Sequence, residues 1–156
     1  MVRWCVFQES APQLASVGFE KLNRKIAYLA TLKRDGAPNL HPVTPFIGEG
    51  MLFIFTEPSS PKIRDLRRDG RYALHSSVER AKGEPLVEFL VTGTVQIIQD
   101  PEIRAAAVRT AASSVVIDTY VLFEFRIGRA LLVTYNQEGE RRLQRWKADL
   151  PPQPVV

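Results

Sequence analysis

The sequence predicts a mainly β (α+β) fold, an antiparallel barrel with short helices packed outside it. Three observations predict it. Runs rich in β-branched and aromatic residues recur along the chain. Most are joined by short links containing Gly, Pro, Asn or Asp, the usual connections between antiparallel neighbours. Helical patterning is confined to a few short stretches, two of which open with a capping residue followed by proline.

In chain order, "SAPQLASVGFEKLNRK" puts Leu14, Val17, Gly18 and Leu22 on one helical stripe, suited to cover a sheet. "KIAYLATLKRDGAPNLHPVTPFI" is two strands about Asp35-Gly36, a dipeptide that supplies the positive φ angles of a tight hairpin. Pro42 and Pro45 cannot donate to a ladder, so the second strand belongs at an edge or carries a bulge. "MLFIFT" is a buried strand. In "TEPSSPKIRDLRRDG", Ser60 caps a helix, Pro61 fits its first position, Arg67 and Arg68 suit its negative end and Gly70 stops it.

"RYALHSSV" is the next strand, and "PLVEFLVTGTVQII" a longer one with two unlike faces. Val87, Phe89, Val91, Val95 and Ile97 form one face; Glu88, Thr92, Thr94 and Gln96 form the other. Asp100-Pro101 starts a short alanine-rich helix. "TYVLFEFRIGRALLVTYNQEGERRLQRWK" alternates as three further strands with turns near Gly128 and Gly139, for a total of about eight strands.

A chain of 156 residues suits one domain, residues 1–150, with a flexible tail at 151–156 in "LPPQPVV". The single cysteine, Cys5, excludes an intrachain disulfide, and two isolated histidines without a cysteine pair make no zinc arrangement, so no metal site is expected. A reducing cytoplasm fits. No apolar run approaches the roughly 20 residues of a membrane-spanning helix. The excess of 21 Lys+Arg over 17 Asp+Glu gives a net charge of +4, but acidic residues interrupt the arginine clusters and no row of stacking aromatics accompanies them, which disfavours nucleic acid. A small anionic ligand suits this balance better.

The candidate site is the start of the Pro61 helix. The first amides of a helix lack partners within it and carry partial positive charge. Ser59, Ser60 and Lys62 add hydroxyl donors and an ammonium group there, a donor set for a phosphate or carboxylate. The alternative is a simply capped helix whose lysine faces water. Ser113 and Ser114 have no strand-turn nucleophile motif or ordered base, which excludes serine hydrolysis by that route.

The order of a "LATLKRDGAPNLHPVTPF" hairpin, a strand ending in "FIFT", an S-x-K helix start and the continuation "RDLRRDGRYAL" resembles the flavin-binding split-barrel family that includes pyridoxamine 5'-phosphate oxidase. The resemblance runs from about Ile26 through Trp146. It implies an antiparallel split β-barrel with short flanking helices, a homodimer, and FMN in a groove between the subunits. It places flavin contacts on His41, Pro42, Val43 and Thr44 of the second strand, on Phe55 and Thr56 of the next, and on Ser59, Ser60 and Lys62 at the phosphate. Glu88 takes the position of a glutamine near the partner's flavin, either tuning its potential or facing solvent. Where relatives carry arginine beside the phosphate lysine, this chain has Pro61, and positions that carry basic residues align with His41 and Phe46. Arg64 and Arg67 either restore that charge or pair with Asp65 and Asp69 in solvent.

His41 is either a hydrogen-bond donor to a flavin carbonyl or a substrate or a structural histidine, His75 carries the same alternatives, and Trp146 either covers the cofactor or packs in the core or at a dimer contact. The resemblance implies an FMN-dependent oxidoreductase acting on a small-molecule substrate, its catalytic residues unassigned, because the flavin itself carries the redox chemistry. Alternatives on the same scaffold are a reductase using a deazaflavin coenzyme, and a noncatalytic flavin- or haem-binding protein with His41 or His75 as axial ligand.

Overall fold

The computed structural model describes residues 1–78, 83–112 and 118–149; the expected tail at 151–156, Ser113 and Ser114 lie outside them. The elements are α1 (Trp4–Ser10), α2 (Pro12–Leu22), β1 (Ala27–Leu32), β2 (Pro38–Val43), β3 (Phe46–Gly48), β4 (Met51–Thr56), α3 (Pro61–Arg68), β5 (Arg71–Ser76), β6 (Leu86–Ile97), α4 (Pro101–Thr110), β7 (Val121–Tyr135) and β8 (Arg141–Lys147). Every strand pair is antiparallel, in the order β2-β1-β5-β6-β7-β4-β3, with β8 on β7. β2 and β3 stand at opposite ends of that path yet are joined through Thr44 and Pro45 alone. The sheet therefore curls until its ends approach, the half-barrel of a split-barrel fold.

The hairpin between β1 and β2 differs from a turn with two positive φ angles. Gly36 alone is left-handed, at φ 84°. Gly36 N donates to the Lys33 carbonyl and Lys33 N to the Ala37 carbonyl, a type I turn closed by a glycine bulge. Asp35 contributes through its carboxylate, which accepts from Ala37 N at 3.0 Å. The tight turn with two positive φ angles is instead Glu49-Gly50, at 52° and 73°, between β3 and β4. β2 pairs with β1 alone among the described strands, the edge position its prolines require.

The two faces of the sheet carry two apolar clusters. Inside the curl, Leu29, Leu52, Ile54, Leu74, Phe89, Val91, Phe123 and Phe125 pack with Trp4, Phe7, Leu14 and Leu22 of α1 and α2 and with Ile63 and Leu66 of α3. On the other face, Phe46, Met51, Phe53 and Leu122 pack under Ala107 of α4. Helix α1 has no counterpart in the sequence expectation, although its Trp4 and Phe7 are spaced as one helical face.

Gly128 is not a turn. β7 runs unbroken for 15 residues, so two strands, not three, follow α4. The register against β6 shifts between Thr92 and Gly93, where β7 steps from Arg129 to Ile127. The extra residue reverses which side chains point inward: Phe123, Phe125 and Ile127 enter the core before it, Ala130 and Leu132 after it. The two-faced reading of β6 holds, with Phe89 and Val91 fully buried. Among the described residues no helix is long and apolar enough to cross a membrane.

Candidate functional site

Strand β4 delivers the chain to Glu57 through Ser60, and α3 begins at Pro61 with Ser60 in the N-cap position. Ser60 does not cap it. Its Oγ accepts from Lys62 Nζ at 2.8 Å and makes no cap bond to the first amides of α3, of which Ile63 N donates to the Ser60 carbonyl at 3.1 Å. Helix α4 has the same residue-then-proline start but the opposite outcome, because Asp100 Oδ1 accepts from Glu102 N at 2.9 Å and Ile103 N at 3.0 Å. One helix start is capped by its own carboxylate; the other has no side-chain cap from its N-cap residue and stands beside an ammonium group.

Burial lowers the Lys62 pKa below its ordinary value, and the nearby Glu57 carboxylate opposes that shift. An ammonium group destabilised by its surroundings gains from an anion. Ser59 Oγ donates to Glu57 Oε1 at 2.9 Å. The anticipated trio is thus divided: Ser60 and Lys62 are joined, while Ser59 is held by the Glu57 carboxylate, which was not among the expected site residues.

From β2, His41 enters the same neighbourhood. Burial lowers its pKa, the Lys62 charge lowers it further, and Asp65 acts in the opposite direction. Strand alternation separates His41, Pro42 and Val43 of β2 and Thr44 just beyond it. Asn39, His41 and Val43 are half-buried on one face, whereas Leu40, Pro42 and Thr44 are exposed on the other side. Side-chain contacts from all four to one ligand face are therefore excluded within one protomer; Pro42 and Thr44 offer backbone or the opposite face.

Beneath His41 lies a network that sequence reasoning missed. Asp65, 7% exposed, accepts from Thr31 Oγ1 at 2.9 Å and Asn39 Nδ2 at 3.1 Å. Its other oxygen accepts from Arg68 Nη2 at 3.2 Å, and Arg68 also donates to the Leu32 carbonyl. The expected pairing of Asp65 with Arg64 or Arg67 in solvent is incorrect, because Asp65 shares the inward stripe of α3 with Ile63 and Leu66. Its three-residue offset from Lys62 was the available signal, but solvent exposure of both was the simpler reading.

The remaining candidates stand apart. Phe55 packs edge-on against Phe53 and lies under the Arg104 guanidinium, 5.4 Å from ring centroid to cation. Thr56 Oγ1 is buried with no hydrogen-bond partner among the described residues. Glu88 Oε2 is 3.9 Å from His75 Nε2, on the face of β6 away from the core. His75 Nδ1 donates to the Ser76 carbonyl at 2.7 Å. Trp146 packs against Phe7 with ring centroids 4.8 Å apart, the core reading of that residue. A cleft of about 490 Å³ opens elsewhere, on β6, β7 and β8, lined by Leu90, Thr92, Leu131, Arg129, Arg145 and Lys147 among others. It does not include the α3 start.

A family model described as pyridoxamine 5'-phosphate oxidase matches residues 19–134. No curated protein matches the sequence. Among solved structures, a haem-binding protein from Mycobacterium smegmatis is similar at TM-score 0.65 and 19% identity, over 80% of this chain and 53% of that one, so this chain spans about half its length. PhzG from Burkholderia lata 383, in complex with tetrahydrophenazine-1-carboxylic acid, is similar at TM-score 0.64 and 15% identity, over 94% of this chain and 88% of that one. A NimC/NimA family protein from Clostridium acetobutylicum gives TM-score 0.59 and 17% identity, over 86% and 91%. At these identities the likeness is one of fold.

Proposed function

The chain belongs to the pyridoxamine 5'-phosphate oxidase family, and from that premise we propose that it binds FMN as a homodimer and acts as a flavin-dependent oxidoreductase on a small molecule. The observation that carries the reading is the start of α3, where Lys62 and Ser60 flank a helix end with no side-chain cap. That donor set fits a phosphate monoester. Glu57 is the residue that fits least, and Ser59 joins the phosphate only by leaving its carboxylate.

In this reading Ser59, Ser60, Lys62 and the first amides of α3 hold the phosphate. His41, Pro42, Val43, Thr44, Phe55 and Thr56 border the ring system, and Glu88 reaches the groove from the second protomer. FMN, when bound, supplies hydride or electron transfer; the chain supplies grip, orientation and exclusion of water. The exposed apolar residues Tyr28 and Leu40, on the outer face of β1 and β2, support a face for the second copy. The cleft on β6 to β8, with Leu90 and Leu131 beside Arg129, Arg145 and Lys147, suits a largely apolar, anionic substrate.

Titrating the purified full-length chain with FMN and with riboflavin, while following flavin fluorescence and thermal stability, tests the cofactor. Saturable binding with FMN tighter than riboflavin is expected; no saturable change with either overturns the reading. A second reading, haem binding, is supported by His41, whose Nδ1 makes no hydrogen bond among the described residues and so meets one requirement of an axial ligand. A Soret band on haem addition that disappears in His41→Ala would favour it over flavin.

A further inference from the structure

Thr31 stands between two groups that decide where its hydrogen goes. Asp65 accepts from Thr31, Asn39 and Arg68. Burial alone would raise its pKa, but the hydrogen bonds from Asn39, Thr31 and Arg68, with the Arg68 charge, hold it below the ordinary carboxylate value. An ionised carboxylate can only accept, and a hydroxyl has one hydrogen to give. The 2.9 Å bond to Asp65 uses the hydrogen of Thr31. The 3.2 Å contact between Thr31 Oγ1 and His41 Nε2 must then take its hydrogen from the imidazole.

We infer that Asp65 and Thr31 are positioning residues that fix the His41 hydrogen on Nε2 and leave the Nδ1 lone pair to accept from a donor on the bound ligand. The groups facing His41 are Lys62 and Asp65 from α3, Thr31 from β1 and Asn39 on its own strand. The nearby ammonium group and burial both favour the neutral ring. His41 is thus an acceptor in the site rather than the donor to a carbonyl that its position on β2 suggested. On the flavin reading, on which the identity of the ligand rests, the oxidised ring system offers one N–H, in its pyrimidine ring, and the ribityl chain offers hydroxyls. A ligand presenting only a carbonyl oxygen to Nδ1 would be rejected.

His75 provides an internal reference, because its bond to the Ser76 carbonyl requires the hydrogen on Nδ1. The chain has only these two histidines. Nitrogen NMR of the ligand-free, histidine-labelled protein, above the pH at which both rings are neutral, should show opposite tautomers, with His75→Gln assigning the signals. On FMN addition the His41 Nδ1 signal should move toward a hydrogen-bonded value. Thr31→Val should free the Nε2 hydrogen to exchange with water and weaken FMN about tenfold, and Thr31→Ser should restore both.

A hydrogen on Nδ1 of His41 in the unaltered protein overturns the inference whether or not FMN binds, as does a Thr31→Val protein identical to the parent in both readouts. FMN bound with Nδ1 unmoved overturns the acceptor role. The expected tautomer without FMN binding leaves the relay standing and overturns the flavin reading instead.

Discussion

At the scale of single residues, Lys62 and Glu57 oppose each other across one small volume. Replacing Lys62 by alanine removes the only ammonium group proposed for the phosphate, and a charged hydrogen bond of that kind is worth about 1.5–3 kcal/mol. FMN should weaken roughly ten- to hundredfold, with riboflavin little changed, as isothermal titration of both ligands would show. Glu57→Gln should act in the other direction, because it removes a negative charge and loosens the hold on Ser59. Tighter FMN binding in that variant, diminishing as salt is raised, is the expected result.

The titrating groups of the same network set a sign for pH. The folded pKa of His41 lies below its ordinary value of 6.5, so the fold prefers the neutral ring; that preference is complete above pH 6.5 and is lost as pH falls through the lowered value. Asp65 behaves alike from its ordinary value of 3.8 downward. Thermal stability should therefore decline in two stages on acidification. His41→Gln should remove the earlier stage and leave the later one, as melting curves across pH would reveal.

At the scale of elements, the bulge of β7 against β6 is the feature most exposed to a one-atom change. A Cβ on Gly93 would sit 1.9 Å from the Arg126 carbonyl oxygen, which is backbone and cannot step aside. A Cβ on Gly128 would meet the Met1 thioether, 2.4 Å away but at the end of a flexible side chain. Gly93→Ala should cost about 3 kcal/mol or more, and Gly128→Ala distinctly less, in urea unfolding. Gly128 also shows why the segment after α4 reads as three strands where the fold has two, although the total of eight agrees. Glycine marks turns and bulges alike, and only the partner strand, continuous from Leu86 to Ile97, decides between them. The helices starting at Pro61 and Pro101 were legible because proline and the preceding cap act locally. The use made of those caps was not, since Ser60 turned to Lys62 while Asp100 turned to its own amides.

At the scale of the whole molecule, the proposed dimer would link the outer face of β1 and β2 to the proposed cofactor. Leu40 is 65% exposed and shares a strand with His41. If a second copy covers that face and completes the groove, Leu40→Glu should shift the protein to monomer in analytical ultracentrifugation and weaken FMN in parallel. A dimer that persists with unchanged FMN affinity would exclude this face as the interface.

The helices opening at Pro12, Pro61 and Pro101, the edge placement of β2 and the two faces of β6 were legible in the residues alone, because periodicity, proline and short turn motifs act over a few residues, while the family was legible only as a resemblance in the order of several motifs. Tertiary structure alone decided that Asp65 points inward, that Thr31 bridges it to His41, and that Gly128 is a bulge within one long strand. Those outcomes depend on what arrives from distant parts of the chain: Asp65 is 34 residues from Thr31. A carboxylate on a helix is solvated unless another element brings donors to it, and no local pattern announces that they will come.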